Sequence, residues 1–237
     1  MLSVIIPCYN GATYIKKDNI GKTLRYLDSL NIEDGYEVIV VNDGSVDNSA
    51  NLLSSFRTNP HLKIVSYEKN GGKGYAINKG IAAASGDILF MDIDLATDIS
   101  AIKQVLENRT KYDVIIGSRN HKNSIGGKRK PLLRNIMSFV SAWCVHNIAG
   151  VHYADTQCGF KYFSLPLAKK IAARQKIFRW AFDVEYLYMA DKNGYCVLEI
   201  PVIWTNGPES SVSPIKASIR FLKELFVIRK NKDTYKF

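Results

Sequence analysis

Four short segments hold side chains whose types and spacing suit phosphate chemistry. Asp92-Ile93-Asp94 follows an apolar run, Ile88-Leu89-Phe90-Met91. Two carboxylates flanking one residue at a strand terminus repel each other. A hard divalent cation with oxygen ligands, Mg2+ or Mn2+, would relieve that repulsion and bridge to a diphosphate. Gly71, Gly72 and Gly74 surround Lys73. Such a turn lets phosphate approach backbone N–H groups at a helix start, and Lys73 adds positive charge. Asp43 ends a second apolar run, Val38 to Val41 followed by Asn42. Its carboxylate, or the Asn42 amide, suits acceptance of a nucleobase N–H, and equally suits an Asx-turn or a helix cap. Pro7-Cys8-Tyr9-Asn10 ends a third run.

The glycine segment fits neither common nucleotide motif. A P-loop needs Ser or Thr after Gly-Lys, and Gly74 stands there. G-x-G-x-x-G needs a glycine where Ile77 stands. A P-loop kinase and a dinucleotide dehydrogenase are therefore unsupported.

The elements that must position these groups follow from the hydrophobic pattern. Short, β-branched runs at Leu2–Ile6, Tyr36–Val41, Leu62–Tyr67, Asp87–Met91 and Val114–Ile116 predict strands. Helical spacing predicts helices over Ile20–Leu30, from Asp47 or Asn48 to about Phe56, over Lys73–Ala84, and from Asp98 or Ser100 to Asn108. The order βαβαβαβαβ makes the class α/β with a mainly parallel sheet. In such sheets ligands lie at the carboxyl ends of the strands, where all four polar clusters fall. The second half reads differently. It has a basic, glycine-containing loop over 119–130, a helix from about Leu132 to Ala149 and a strand at Phe160–Phe163. Helices follow near 166–173 and 182–193, then a strand near 195–204 and a helix from Pro214 to Arg229. No linker separates the halves. The chain reads as one structural domain, with residues 1–118 as a nucleotide-binding half and 119–237 as an acceptor-side half.

Composition sets the outer bounds. The 237 residues are 46% hydrophobic and 23% charged, as in folded globular proteins and unlike disordered ones. The formal charge is +10. Residues 1–118 hold 12 basic and 14 acidic residues, and residues 119–237 hold 20 and 8, so the halves carry −2 and +12. That asymmetry points to a polyanionic partner: nucleic acid, a membrane surface or a phosphorylated substrate. The motifs of nucleic-acid-binding modules are missing. Four widely spaced cysteines, without C-x-x-C, read as reduced and mostly buried thiols of a cytosolic setting. Met1–Pro7 has no basic leader region and reads as a strand, not a signal peptide. No run approaches the roughly 18 apolar residues of a membrane span.

Taken together the segments resemble the family 2 glycosyltransferases of the GT-A fold along nearly the whole chain. Ser3 to Asn10 resembles the family's opening strand and donor loop. Val40-Val41-Asn42-Asp43-Gly44-Ser45-Val46-Asp47 resembles its V-[DN]-D-G-S-x-D segment, and Asn70-Gly71-Gly72-Lys73-Gly74-Tyr75-Ala76 its N-x-G-K-G-x-A segment. Asp92-Ile93-Asp94 occupies the D-x-D position. Gly11 replaces a glutamate common in the family, Asn42 replaces an acid, and Glu209-Ser210-Ser211-Val212 lacks a usual cation.

Asp94-Leu95-Ala96-Thr97, Asp155-Thr156-Gln157-Cys158-Gly159-Phe160-Lys161 and Trp180-Ala181-Phe182-Asp183-Val184-Glu185 resemble the dolichyl-phosphate β-glucosyltransferase branch. The resemblance implies a UDP-sugar donor, with UDP-glucose favoured because Ala96 stands where mannosyl-transferring relatives commonly carry Gln. The donor would be bound by Pro7, Tyr9, Asn10, Asn42, Asp43, Gly72, Lys73 and Asp92. Asp92 and Asp94 would hold the metal. The implied acceptor is a polyprenyl or dolichyl phosphate, met by Arg119, Arg129, Arg134 and Lys161. Asp155, Gln157, Gly159 and Glu185 would complete an acceptor-side motif.

An ionised phosphate needs alignment and a cationic cradle more than a base. Single-step attack at the anomeric carbon predicts inversion. A hydroxyl acceptor on a cell-surface glycan is the alternative. It would need a base, with Asp183 the first candidate and Asp155 the second. Asp183 and Glu185 also suit a helix start, where the dipole favours acids. The final helix alternates Ile215, Ile219, Leu222, Leu225, Phe226 and Ile228 with basic residues. This predicts an interfacial helix at the cytoplasmic face of a membrane, or else a core-packed helix or a homodimer contact. The helix over 131–149 is a second membrane-facing candidate.

Overall fold

The computed structural model describes residues 1–126, 139–205 and 214–237, the side chains of 214–216 excepted. Seven strands form one sheet: β1 Leu2–Cys8, β2 Tyr36–Asp43, β3 Leu62–Tyr67, β4 Asp87–Met91, β5 Val114–Ser118, β7 Phe160–Phe163 and β8 Val197–Pro201. Their order is β3-β2-β1-β4-β7-β5-β8. All neighbours run parallel except β7, which lies antiparallel between β4 and β5. Two further strands, β6 Ile125–Gly126 and β9 Ile203–Trp204, pair in a small parallel ribbon. The strand expected near 195–204 is thus two, broken at Val202, whose N–H bonds Ser124 Oγ instead.

Helices cover both faces of the sheet. They are α1 Ala12–Lys16, α2 Asn19–Ser29, α3 Ser49–Ser54, α4 Lys73–Ala83, α5 Ala101–Asn108, α6 Leu165–Arg174, α7 Phe182–Lys192 and α8 Pro214–Lys230. Side chains alternate across the pleat. Ile5, Ile39 and Phe90 enter one core with residues of α4, α6, α7 and α8. Val4, Ile6, Val40 and Leu89 enter the other with residues of α2 and α5. Every residue of β2 is buried, which explains its unbroken apolar run.

The second half supplies β7 and β8 to the same sheet as the first. Phe90 of β4 packs beside Phe163 of β7 and Phe182 of α7, with ring centroids 6.1 and 5.8 Å away.

Of the alternatives for the final helix, core packing describes its main apolar stripe. Phe221, Leu225 and Ile228, at spacings of four and three, turn into the core and are buried. Only Ile219 and Phe226 of its described apolar residues are exposed, at 51% and 56%. The helix therefore does not offer its main apolar stripe outward. Residues 139–144 are helical and continue into a π-helical turn, Val145–Ala149, which packs against α8. Phe139, Val140 and Trp143 stand exposed there. The rest of the helix expected over 131–149 lies outside the described residues. No helix among the described residues is long and apolar enough to cross a membrane.

Candidate active site

The chain runs outward from β1 through β2 to β3, then returns to place β4 on the other side of β1. That reversal opens a crevice at the carboxyl ends of β1 and β4. A cavity of about 580 Å³ lies there. Pro7, Tyr9, Asp43, Gly72, Lys73 and Asp92 line it, as expected of the donor site. Asp94, Gln157 and Asp183 line it too.

Two donor candidates turn elsewhere. The Asn42 Oδ1 accepts from Ser45 N–H at 3.2 Å, closing an Asx-type turn, and the side chain does not reach the cavity. The Asn10 Oδ1 accepts from Val46 N–H at 3.0 Å in an exposed loop. Both amides fasten the β1 and β2 loops to themselves and to each other.

Asp43 serves the glycine turn. Its carboxylate accepts from Gly71 N–H at 2.7 Å, Gly72 N–H at 2.9 Å and Asn70 Nδ2 at 2.8 Å. Those bonds hold Gly72 at φ 101°, a backbone shape that L side chains rarely adopt. A Cβ at Gly72 would also strike Phe178 O and the Arg179 stem. The turn then starts α4 with Lys73 directed into the cavity.

Lys73 Nζ lies 2.6 Å from Asp92 Oδ1. Burial alone would pull its pKa down. The Asp92 and Asp183 carboxylates outweigh burial and push it up to about 12. For Asp94 the same Lys73 charge lowers the pKa but does not outweigh burial. Burial raises its carboxyl pKa, Ala96 N–H offsets part of this, and neighbouring Asp92 adds to the rise. Among the described residues no three His, Cys, Asp or Glu side chains gather to enclose a metal. The donor set fits a magnesium-like ion, which commonly takes one or two carboxylates and completes its shell with substrate phosphates and water. Gly159 is part of this arrangement, because a Cβ there would overlap Asp92 Oδ2.

The cations expected for an acceptor phosphate are placed differently. Lys161 has no exposed surface. Its Nζ bonds Asp183 Oδ1 at 3.0 Å and Cys158 O at 2.5 Å. The expectation that it meets the acceptor is therefore corrected: its charge is answered by Asp183 at the start of α7 and by the Cys158 carbonyl. Arg119 is held by Asp155 through Nε–Oδ2 at 2.6 Å and Nη2–Oδ1 at 2.9 Å. Neither residue lines the cavity. Burial works to raise the Asp155 carboxyl, but Arg119 overrides it and holds the group below the usual carboxylate range. Arg129 and Arg134 lie outside the described residues, as does Glu209–Val212. Glu185 is also away from the cavity. It accepts from Lys176 N–H, Ile177 N–H and Tyr235 O–H, tying the 175–181 loop to the chain's last residues. Burial pushes its carboxyl up to about 7.

Sequence reading passes over Tyr14, Arg179, Trp180 and Phe182, all of which line the cavity. Trp180 and Phe182 stand inside the Trp180–Glu185 motif, and Arg179 directly precedes it. Their side-chain types fit core or surface equally well, so only the fold assigns them.

Residues 3–165 match the family model described as "Glycosyl transferase family 2". The chain belongs to this family. It is 34% identical to a protein named dolichyl-phosphate beta-glucosyltransferase from Dictyostelium discoideum, over 96% of this chain and 73% of that one. A human protein of the same name is 31% identical over 96% and 74%. Among solved structures the chain is similar to glucosyl-3-phosphoglycerate synthase from Mycobacterium tuberculosis in complex with Mn2+, UDP and phosphoglyceric acid. The TM-score is 0.68 and the identity 14%, over 98% of this chain and 78% of that one. S. aureus TarS in complex with UDP-GlcNAc gives a TM-score of 0.59 at 20% identity, over 99% and 70%. These glycosyltransferases show the same GT-A fold. The chain is a glycosyltransferase of that architecture.

Asp155→Asn is expected to cost about 2–3 kcal/mol, below the value for a wholly buried pair because Arg119 keeps partial exposure. The loss should be constant near neutrality. A depressed carboxyl contributes its stability above the unfolded pKa of about 3.9 and loses it as pH falls through the folded value. Denaturant midpoints for both proteins should therefore converge below about pH 4. Gly159→Ala should displace Asp92 and lower turnover by on the order of tenfold or more, with little change in the thermal midpoint. Unchanged kinetics would show that Asp92 tolerates the displacement.

Proposed function

We propose that this chain is an inverting glucosyltransferase that moves glucose from UDP-glucose to a polyprenyl or dolichyl phosphate. The observation that carries the reading is likeness along 96% of the chain to proteins named for dolichyl-phosphate β-glucosyl transfer. The site's chemistry supports it. The Asp183 carboxylate, the first candidate base, is engaged by buried Lys161. A phosphate acceptor is already ionised near neutral pH and asks little of a base, whereas a hydroxyl acceptor would ask for one.

Each group then has a task. Asp43 shapes the glycine turn, which offers its backbone to the donor diphosphate. Lys73 places an ammonium beside the same region and bonds Asp92 meanwhile. Asp92 and Asp94 would hold a divalent cation, which when bound neutralises charge on the departing nucleoside diphosphate. The mycobacterial synthase in complex with Mn2+ and UDP supports a divalent ion here, with Mg2+ and Mn2+ both suited to the two carboxylates. Exposed Phe139, Val140, Trp143, Ile219 and Phe226 support a peripheral seat on a membrane at its cytoplasmic face, where the lipid acceptor would be met. Residues 1–118 are the donor half in this reading and 119–237 the acceptor half.

A panel of nucleotide sugars, with Mg2+ or Mn2+ and a short polyprenyl phosphate, tests the reaction. Glycolipid should form best from UDP-glucose and fail when the lipid phosphate is replaced by the free alcohol. Donor binding without lipid product would instead favour a glycan hydroxyl as acceptor. Asp94→Ala should abolish metal-dependent transfer, and full retained activity would remove the metal assignment.

A further inference from the structure

The reaction brings two phosphate-bearing substrates to a cavity whose described lining holds four carboxylates and two cations. The carboxylates are Asp43, Asp92, Asp94 and Asp183, and the cations are Lys73 and Arg179. Lys73 is paired with Asp92. Of the other cations expected at the acceptor, the two among the described residues are engaged, Lys161 by Asp183 and Arg119 by Asp155. Among the described residues Arg179 is paired with no carboxylate. Its Nη1 donates to a neutral oxygen, Asn70 Oδ1, at 3.3 Å.

That position is held from three sides. Phe178 O accepts from Tyr75 N–H at 3.2 Å, which ties the loop to α4. The Arg179 stem lies across Gly72, where a Cβ would meet its Cγ. On the far side Glu224 of α8 accepts from Trp180 N–H at 3.0 Å and Ala181 N–H at 2.8 Å through one oxygen, Oε2. Helix α7 has no side-chain cap of its own, so Glu224 supplies the acceptor from another element. An arginine so fixed loses little freedom on binding, and its planar fork suits two phosphate oxygens.

We infer that Arg179 is a phosphate-binding residue of this enzyme, exchanging its long bond to Asn70 for the oxygens of a substrate phosphate. The inference rests on the glucosyltransferase reading and names a residue of that same site. Two substrates present the required chemistry: the donor diphosphate and the acceptor phosphate.

The test compares wild type with Arg179→Met and with Arg179→Lys, which keeps charge and lacks the fork. UDP affinity with Mn2+ is measured by calorimetry, and KM for polyprenyl phosphate by glycolipid formation at saturating UDP-glucose. A fall in UDP affinity of about tenfold or more in Arg179→Met, the loss expected of one charged hydrogen bond, places Arg179 on the donor. UDP affinity within twofold of wild type with KM for the lipid raised about tenfold places it on the acceptor. Arg179→Lys should fall between in either case. If both quantities stay within twofold while the thermal midpoint is unchanged, the inference is overturned. If Arg179→Met does not fold, Arg179→Lys decides alone: a loss in either quantity supports the inference, and none overturns it. Wild type that binds UDP but makes no glycolipid would sink the proposed reaction, and the UDP measurement would still decide for or against Arg179.

Discussion

A lysine with no exposed surface lies on the one antiparallel strand of the sheet, and the cavity is organised around how its charge is answered. Lys161 meets Asp183 at 3.0 Å and the Cys158 carbonyl, with the Phe90 ring face 5.7 Å from its ammonium. An ammonium removed from water costs several kcal/mol unless a partner and hydrogen bonds offset it. The offset here fixes β7 to the start of α7. That start carries Phe182 and Asp183 to the cavity wall, opposite the turn that carries Lys73. Both partners belong to the second half, and β7 in turn joins the first half by pairing with β4. Replacing either partner alone would leave a charge stranded in the core.

The same accounting of charges explains the rest of the wall. The uneven charge of the sequence, −2 in one half and +12 in the other, does not translate into a uniformly basic acceptor surface. Arg119 and Lys161 are consumed by carboxylates from their own half. Asp43 is consumed by backbone donors. Lys73 crosses to Asp92 within the first half.

Much of the fold was legible in the sequence because its strands are short apolar runs, the central ones buried on both faces. β3, β4 and β7 run over Leu62–Tyr67, Asp87–Met91 and Phe160–Phe163, as their apolar runs implied. The four polar clusters do gather at the strand ends, since a parallel sheet has only one edge on which such loops emerge. What the sequence withheld was partnership. Asn42, Lys161 and Glu185 look like site residues because polar side chains in a motif look alike. Their hydrogen bonds run to Ser45, to Asp183 and Cys158, and to Tyr235, contacts that no local pattern encodes. The final helix was left between alternatives for a related reason. Its amphipathic period is real, yet period alone does not say whether lipid or protein covers the apolar stripe.

The antiparallel insertion of β7 has a consequence for how the chain is made. Among the described residues β5 pairs only with β7 and β8, both later in the sequence. β4 presents an open edge until β7 arrives, about seventy residues downstream. A nascent chain that has emerged only as far as β5 therefore holds a four-stranded sheet whose β4 border, covered in the full chain, is still open, and β5 has nowhere to dock. Closure waits for a long-range strand placement, the kind of step that slows folding and leaves edges open to other chains. The first half supplies most of the cavity wall, but its sheet is completed from within the second.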